Sequence, residues 1–331
     1  MKPGKLPEAV LVRSVLKQVS HRRGEVLNGP GVGIDCAALE LKDGEAVVLS
    51  TDPITGTTDA IGCYAIHSAA NDLAASGAEP VGALLTALLP ETIEEAGIRT
   101  IVQEAEAVCR ELHMELLGGH TEITRAVLRP VISVTGVGKI RKADLMKPEA
   151  IRPGLDVVLT KWIGLEATAI LAAEREDLLA KRFSYDFLKT AKSFRQLLSV
   201  VADARAARTS GAVYMHDVTE GGIFGALWEA AEAGHVGLEI DARSIPIRQE
   251  TVEICEVFGV NPYQILSGGS LLILSENGQQ TLDALADAGI PAMIVGRTTD
   301  KKDRILKNGQ DIRYLDRPQP DELYRALEVE A

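Results

Sequence analysis

The sequence predicts an α+β protein of two domains. Three observations carry that expectation. Stretches with apolar residues at helical spacing alternate with short apolar runs of strand length in both halves of the chain. At 331 residues the chain is too long for one small core and long enough for two. Between the halves, R-K-A-D-L-M-K-P-E-A-I-R-P-G at 141–154 is polar and carries two prolines, which places the boundary there and gives domains 1–148 and 149–331. Apolar residues make up 46% of the chain but aromatics only 4%. The core is therefore built from Ala, Val, Leu and Ile, as mixed helix and sheet layers are.

In the first half, apolar residues at 9, 10, 12, 15, 16 and 19 predict a helix over 8–19. Gly29, Pro30, Gly31 and Gly33 then form a loop that lets the backbone approach a ligand. It is neither a Walker loop nor G-x-G-x-x-G, since Cys36 stands where the last glycine would be. The run 45–50 reads as a strand ending in Thr51-Asp52-Pro53. A carboxylate past a strand end is well placed for a site, although Asp before Pro also suits an Asx turn. Next comes I-G-C-Y-A-I-H-S-A-A-N-D-L-A-A-S-G-A-E-P at 61–80, a small-residue helix stopped by Gly77 and Pro80. His67, Ser68, Asn71 and Asp72 form one polar patch on it. A strand at 81–89, a long helix at 91–112, a short strand at 114–117 followed by Gly118-Gly119-His120-Thr121-Glu122, and a strand at 128–137 complete this half.

The second half opens with a strand at 156–160, then helical patterns at 164–175, 184–195 and 198–209. The run 212–215 leads into His216-Asp217-Val218-Thr219-Glu220-Gly221-Gly222, a helix at 223–233 and a strand at 236–241. A helix at 249–258 precedes Ser267-Gly268-Gly269-Ser270 and the strand 271–274, and a helix at 276–288 and a strand at 291–296 follow.

The net charge of −12 argues against nucleic acid as a partner. Four cysteines at 36, 63, 109 and 255 show no C-x-x-C spacing, which argues against a zinc or redox motif and fits a reducing compartment. The first residues, M-K-P-G-K-L-P, lack the apolar core of a leader, and no apolar run reaches ~18 residues. The expectation is a cytoplasmic protein with no membrane partner.

Five acids stand at positions suited to a site: Asp35 after the glycine loop, Asp52, Asp72, Glu122 after Gly-Gly, and Asp217 before Thr-x-Gly-Gly. Oxygen ligands on loops and strand ends suit Mg²⁺, which takes its remaining ligands from phosphates and water. Spacing alone leaves open that these are unrelated caps among 47 acids.

Taken together, the motifs resemble the AIR synthase (PurM-like) superfamily, over nearly all of 8–300. Gly33-Ile34-Asp35-Cys36-Ala37-Ala38-Leu39 is similar to its G-D-D-A/C-A-V-L. Thr51-Asp52 is similar to its T-D segment. His67, Asn71-Asp72-Leu73-Ala74, Gly77 and Pro80 follow its A-x-x-x-x-N-D-L-A-x-x-G-A-x-P, and Gly118-Gly119-His120-Thr121 its G-G-D/E-T. His216-Asp217-Val218-Thr219-Glu220-Gly221-Gly222 resembles the H-D-P-T-R-G-G of the hydrogenase maturation (HypE) branch.

The resemblance implies a two-domain PurM-like fold. An N-terminal α+β domain would bind ATP and form a β-barrel across a homodimer, and a second α+β domain would follow. It implies ATP and Mg²⁺ as cofactors, with Asp35, Asp52 and Asp72 on the metal. Gly31, Gly33, Asp35, Thr51, Asn71, Gly118, Gly119 and Thr121 would contact the nucleotide. Asp72, Asp217 and His120 would be catalytic, with Asp217 coming from the second domain. Three departures stand out. Ile34 replaces an acid, His120 stands where relatives have Asp or Glu, and no cysteine follows Cys255, whereas the maturation branch carries one in its tail.

The expected activity is ATP-dependent activation of a carbonyl or carboxamide oxygen, on a small molecule or a protein-borne group, by phosphoryl transfer. Two other readings are compatible with the sequence: a small-molecule kinase of the thiamine-monophosphate kinase type, and a non-catalytic nucleotide-binding partner in a maturation assembly.

Overall fold

The computed structural model describes residues 4–31 and 36–329. Gly33, Ile34 and Asp35 lie outside the described residues. The elements up to residue 145 are β1 (Gly4–Lys5), α1 (Glu8–Ser14), β2 (Val26–Asn28), β3 (Ala38–Leu39), β4 (Glu45–Ile54), α2 (Ile61–Ala75), β5 (Glu79–Leu89), α3 (Glu95–Glu111), β6 (Glu115–Ile123) and β7 (Val131–Arg141). Beyond it come β8 (Asp156–Thr160), α4 (Leu165–Glu174), α5 (Glu176–Leu179), α6 (Tyr185–Ser193), α7 (Val201–Arg208), β9 (Ala212–Asp217), α8 (Gly222–Ala233), β10 (Gly237–Asp241), α9 (Gln249–Phe258), β11 (Leu271–Ser275), α10 (Gly278–Asp287), β12 (Ala292–Thr299), β13 (Arg304–Asn308), β14 (Asp311–Tyr314) and α11 (Glu322–Glu328). Two units result. One takes the chain up to Leu73 and Ala78–Leu145, the other Ala74–Gly77 and the chain from Met146.

The first unit is a five-stranded sheet in the order β1-β6-β5-β7-β4, open within the chain, with β2 and β3 as a separate hairpin. Ile61, Ala65, Ile66, Ala69, Ala70 and Leu73 of α2 are at most 1% exposed. Each large side chain among them contributes about 1.5–3 kcal/mol by leaving water. Small residues make this possible: a Cβ on Gly62 would lie 2.1 Å from the Ile101 carbonyl oxygen of α3. The predicted polar patch is therefore mostly enclosed, with His67 and Asn71 buried at 6% and 3% exposure.

Two strands run further than the sequence suggests. β4 continues through Asp52, which pairs with Val134, and Pro53, which pairs with Ser133. Asp52 therefore sits inside the strand and not past its end. β4 is an edge strand, so a proline without an N–H is tolerated there. Likewise Gly118 to Glu122 lie within β6, paired in parallel with 84–88 of β5. Gly119 has φ 139°, and a Cβ there would meet the Leu85 carbonyl oxygen at 1.8 Å, so only glycine fits. The helix expected at 8–19 is α1 followed by a short 3-10 turn at Leu16–Gln18.

The second unit is a seven-stranded sheet, β14-β13-β10-β12-β8-β11-β9, antiparallel except for β10 with β13. Its central strands are apolar on both faces, as a covered sheet requires. Val157, Leu159, Leu272 and Leu274 face a core with Ile223 and Leu227 of α8. Val158, Leu271 and Ile273 face another with Ala204 of α7 and Leu285 of α10. Among the described residues, no helix is long and apolar enough to cross a membrane.

Candidate functional site

Strand alternation sends Ser50 and Asp52 of β4 to one face of the first unit's sheet and Thr51 to the other. The Ser50 hydroxyl donates to Asp72 Oδ2 on α2, and Asp52 Oδ2 lies 3.3 Å from the same hydroxyl. One hydroxyl hydrogen thus stands between two carboxylates, brought together by β4 and α2. Asn71 is the neighbour of Asp72 on the helix. Thr51, on the other face, donates to the Val134 carbonyl at 3.0 Å and lies 3.1 Å from the Thr135 hydroxyl.

Two like charges in such proximity are costly unless a cation shares them. The donors are hard oxygens, the type that Mg²⁺ selects, and Mg²⁺ keeps open positions for water and phosphate. Among the described residues no three His, Cys, Asp or Glu side chains gather as a metal site. The third expected ligand, Asp35, lies outside those residues.

A second group of expected residues surrounds a cavity of ≈ 470 Å³ in the same unit. Pro30, Gly31, Gly118, Gly119, His120 and Thr121 line it together with an apolar wall from Leu11 of α1 and Val15 just past it, Leu85 and Ala87 of β5, and Ile98 and Ile101 of α3. His120 Nε2 lies 3.0 Å from Glu122 Oε2, so a protonated imidazole has an ion-pair partner two residues on. Asp52 and Asp72 are not among the cavity's lining residues.

The stretch leading to the glycine loop is fixed by two carboxylates that sequence reasoning missed. Glu106 Oε1 on α3 accepts from the Ser20 amide at 2.8 Å, the Ser20 hydroxyl at 2.9 Å and the His21 amide at 2.6 Å. Glu115 Oε2 at the start of β6 accepts from the Arg23 amide at 2.7 Å. Both are enclosed, at 3% and 1% exposure. Beyond them the Asn28 amide donates to the Cys36 carbonyl at 2.8 Å. An acid among apolar helix positions, such as Glu106 in I-V-Q-E-A-E-A-V-C, was the available signal.

In the second unit, Asp217 ends β9 and is 6% exposed. The Val218 amide donates to the Ser270 carbonyl at 3.0 Å, joining the D-V-T-E-G-G and S-G-G-S loops. Glu166, in the first turn of α4, was not anticipated. Burial, with Asp321, Asp217 and Glu220 nearby, pushes its carboxyl up to about 8. A Cβ on Gly268 would lie 2.0 Å from Glu166 Oε2, so the glycine makes room for that acid. Burial disfavours charge on His216, but its 2.8 Å contact with Glu229 and the nearby Asp217 outweigh that and raise its pKa.

Comparison with known proteins places this geometry in context. Residues 33–140 match the AIR synthase related protein N-terminal domain and residues 152–307 its C-terminal domain. The chain is 26% identical to a protein named for hydrogenase expression and formation in Methanocaldococcus jannaschii, over 95% of this chain and 96% of that one. It is 28% identical to the carbamoyl dehydratase HypE of Rhizobium leguminosarum bv. viciae, covering 80% of this chain and 76% of that protein. A crystal structure of the hydrogenase maturation protein HypE in complex with ATP superposes with a TM-score of 0.81 at 19% identity, covering 98% of this chain and 97% of that one. At that identity the likeness establishes the fold.

Proposed function

The chain belongs to the AIR synthase related family, and from that premise we propose that it is an ATP- and Mg²⁺-dependent enzyme of the HypE type, activating a carboxamide or carbonyl oxygen by phosphoryl transfer. The observation that carries this reading is the convergence of Asp52 and Asp72 on the Ser50 hydroxyl. Bound Mg²⁺ would neutralise the nucleotide's phosphates there. The cavity supports a place for the base: it has an apolar wall and a rim of glycines whose backbone can approach closely. Gly31, Gly118, Gly119 and Thr121 stand on that rim. Asn71 is next to Asp72 in the chain, and His120, 3.0 Å from Glu122 and lining the cavity, is suited to proton transfer. Asp217 is assigned to the acceptor's chemistry.

The relatives named carbamoyl dehydratases point to the reaction class. An amide oxygen attacks the γ-phosphorus and the bond from that phosphorus to ADP breaks. The C–O bond then breaks, the oxygen leaves as phosphate, and the amide becomes a nitrile with loss of its two N–H protons. Positioning and charge neutralisation do most of the work in such a step. We assign the chain to a homodimer through the first unit's sheet, whose edge strand exposes Val47 at 45% and Leu49 at 65%. An apolar strand edge of that kind calls for a covering partner.

The test is phosphate release from Mg-ATP in the presence of carbamoyl or carboxamide acceptors. Acceptor-dependent ADP and free phosphate are expected. Phosphate retained on the acceptor would make the enzyme a kinase, and no turnover with ATP bound would make the chain a binding partner.

A further inference from the structure

Asp217 is followed by a loop anchored at Val218, whose amide donates to the Ser270 carbonyl, and turning on two glycines. Gly221 and Gly222 adopt φ 78° and 61°, a region only glycine enters freely. Gly221 is also the N-cap of α8, where amides lack partners within the helix. Its amide has a partner from a distant part of the chain: Asp321 Oδ2 accepts it at 2.7 Å. The other oxygen, Asp321 Oδ1, accepts from the Leu266 amide at 3.1 Å and the Leu323 amide at 2.8 Å. One carboxylate therefore joins the loop after β9, the stretch before Ser267-Gly268, and α11. Next to it, the Tyr324 hydroxyl donates to Glu220 Oε1 at 2.7 Å.

The helix bearing these groups is itself firmly seated. Leu323 and Ala326 are 2% and 0% exposed, and Asp321 is 5% exposed. Arg325 donates to the Gly259 carbonyl at 2.9 Å, and Arg175 of the α4–α5 junction donates to the Leu327 carbonyl at 3.4 Å. A carboxylate is the fitting group here. It offers two oxygens, accepts only, and brings negative charge to the start of α8, where the helix dipole favours it.

We propose that Asp321 and Tyr324 are positioning residues for the Asp217 loop: together they hold 218–222 in the conformation that presents Asp217 to the acceptor. The proposal rests on the catalytic role given to Asp217 above. It needs no contact between α11 and substrate, only that the two bonds hold a loop of glycines in one arrangement. Small displacements of a reacting group are costly to rate, about a hundred-fold for 1 Å.

Two variants of the full chain test it. Asp321→Asn removes the negative charge that strengthens all three bonds and replaces one of the two accepting oxygens with a donor. Tyr324→Phe removes only the hydroxyl from a side chain that is 39% exposed, so it should fold normally. Hydrogen exchange at the Gly221 and Leu266 amides is read alongside steady-state turnover of Mg-ATP with acceptor. Asp321→Asn is expected to speed exchange at both amides about ten-fold and to lower kcat about ten-fold with KM for ATP within about two-fold. Tyr324→Phe is expected to lower kcat in the same way but less, with Tm unchanged. Unaltered exchange at Gly221 in Asp321→Asn, or full kcat in both variants, overturns the proposal. A wild-type chain without turnover would overturn the enzyme reading instead, while the exchange rates still decide whether the carboxylate holds the loop.

Discussion

The Ser50 hydroxyl on β4 donates to the Asp72 carboxylate on α2, tying the edge strand to the buried helix at the point where Asp52 also arrives. Three oxygen donors from two elements meet there, and the predictions begin with them.

Asp72→Asn preserves shape and removes charge. Phosphate release from Mg-ATP should fall about a hundred-fold or more, the scale of losing one charge-stabilising group, while Tm moves by no more than a few degrees. Near-normal turnover in this variant would make the helix patch purely structural.

Ser50→Ala takes away the hydrogen between the two carboxylates. About 1 kcal/mol of stability should go with the lost bond. Without metal, Asp52 and Asp72 then face each other unscreened, so Mg²⁺ should raise Tm more in this variant than in the wild type. Equal Mg²⁺ shifts in thermal unfolding would show that the two acids do not interact.

Glu106→Gln and Glu115→Gln loosen the stretch before the glycine loop. Each should cost about 1–3 kcal/mol, because enclosed amides lose a charged acceptor. Limited proteolysis should cut between residues 20 and 36 faster than in the wild type, and the ATP requirement should rise. Unchanged cleavage in both variants would mean that the loop is held some other way.

Glu166 gives a pH dependence with a defined sign. Its carboxyl titrates near 4.5 when unfolded and about 8 when folded. The folded state therefore binds this proton more tightly, so its stabilising effect is complete below pH 4.5 and is lost as pH rises through about 8. Glu166→Gln should match the wild type near pH 4.5 and exceed it increasingly as pH rises, by about 4 kcal/mol at pH 8 and above. Chemical unfolding across that range measures the difference, and a constant gap between the two proteins would refute the assignment.

Helix α2 was legible in the sequence because its small and apolar residues recur at one period, and Asp72 came with it. The alternation of helical and strand patterns in both halves made the α+β class legible. Two strand ends were misjudged. Pro53 and the Gly118-Gly119 pair read as breaks, but an edge position and a parallel register accommodate them. Glu106, Glu115 and Asp321 stayed hidden for a different reason. Asp321 also caps α11 locally, but the partners that matter here are amides some 55 to 100 residues away, as with Gly221 and Leu266 for Asp321, and no local pattern marks an acceptor for a distant backbone. Glu166 was likewise visible only once Gly268 and the neighbouring acids were in place.

The most direct test is calorimetric titration with a non-hydrolysable ATP analogue, with Mg²⁺ and after its chelation, on the wild type and on the double variant Asp52→Asn, Asp72→Asn. Metal-dependent binding by the wild type and its loss in the double variant are the predicted results. Equal affinity without metal, or undiminished binding by the double variant, would contradict the view that this pair of carboxylates holds the metal and its nucleotide.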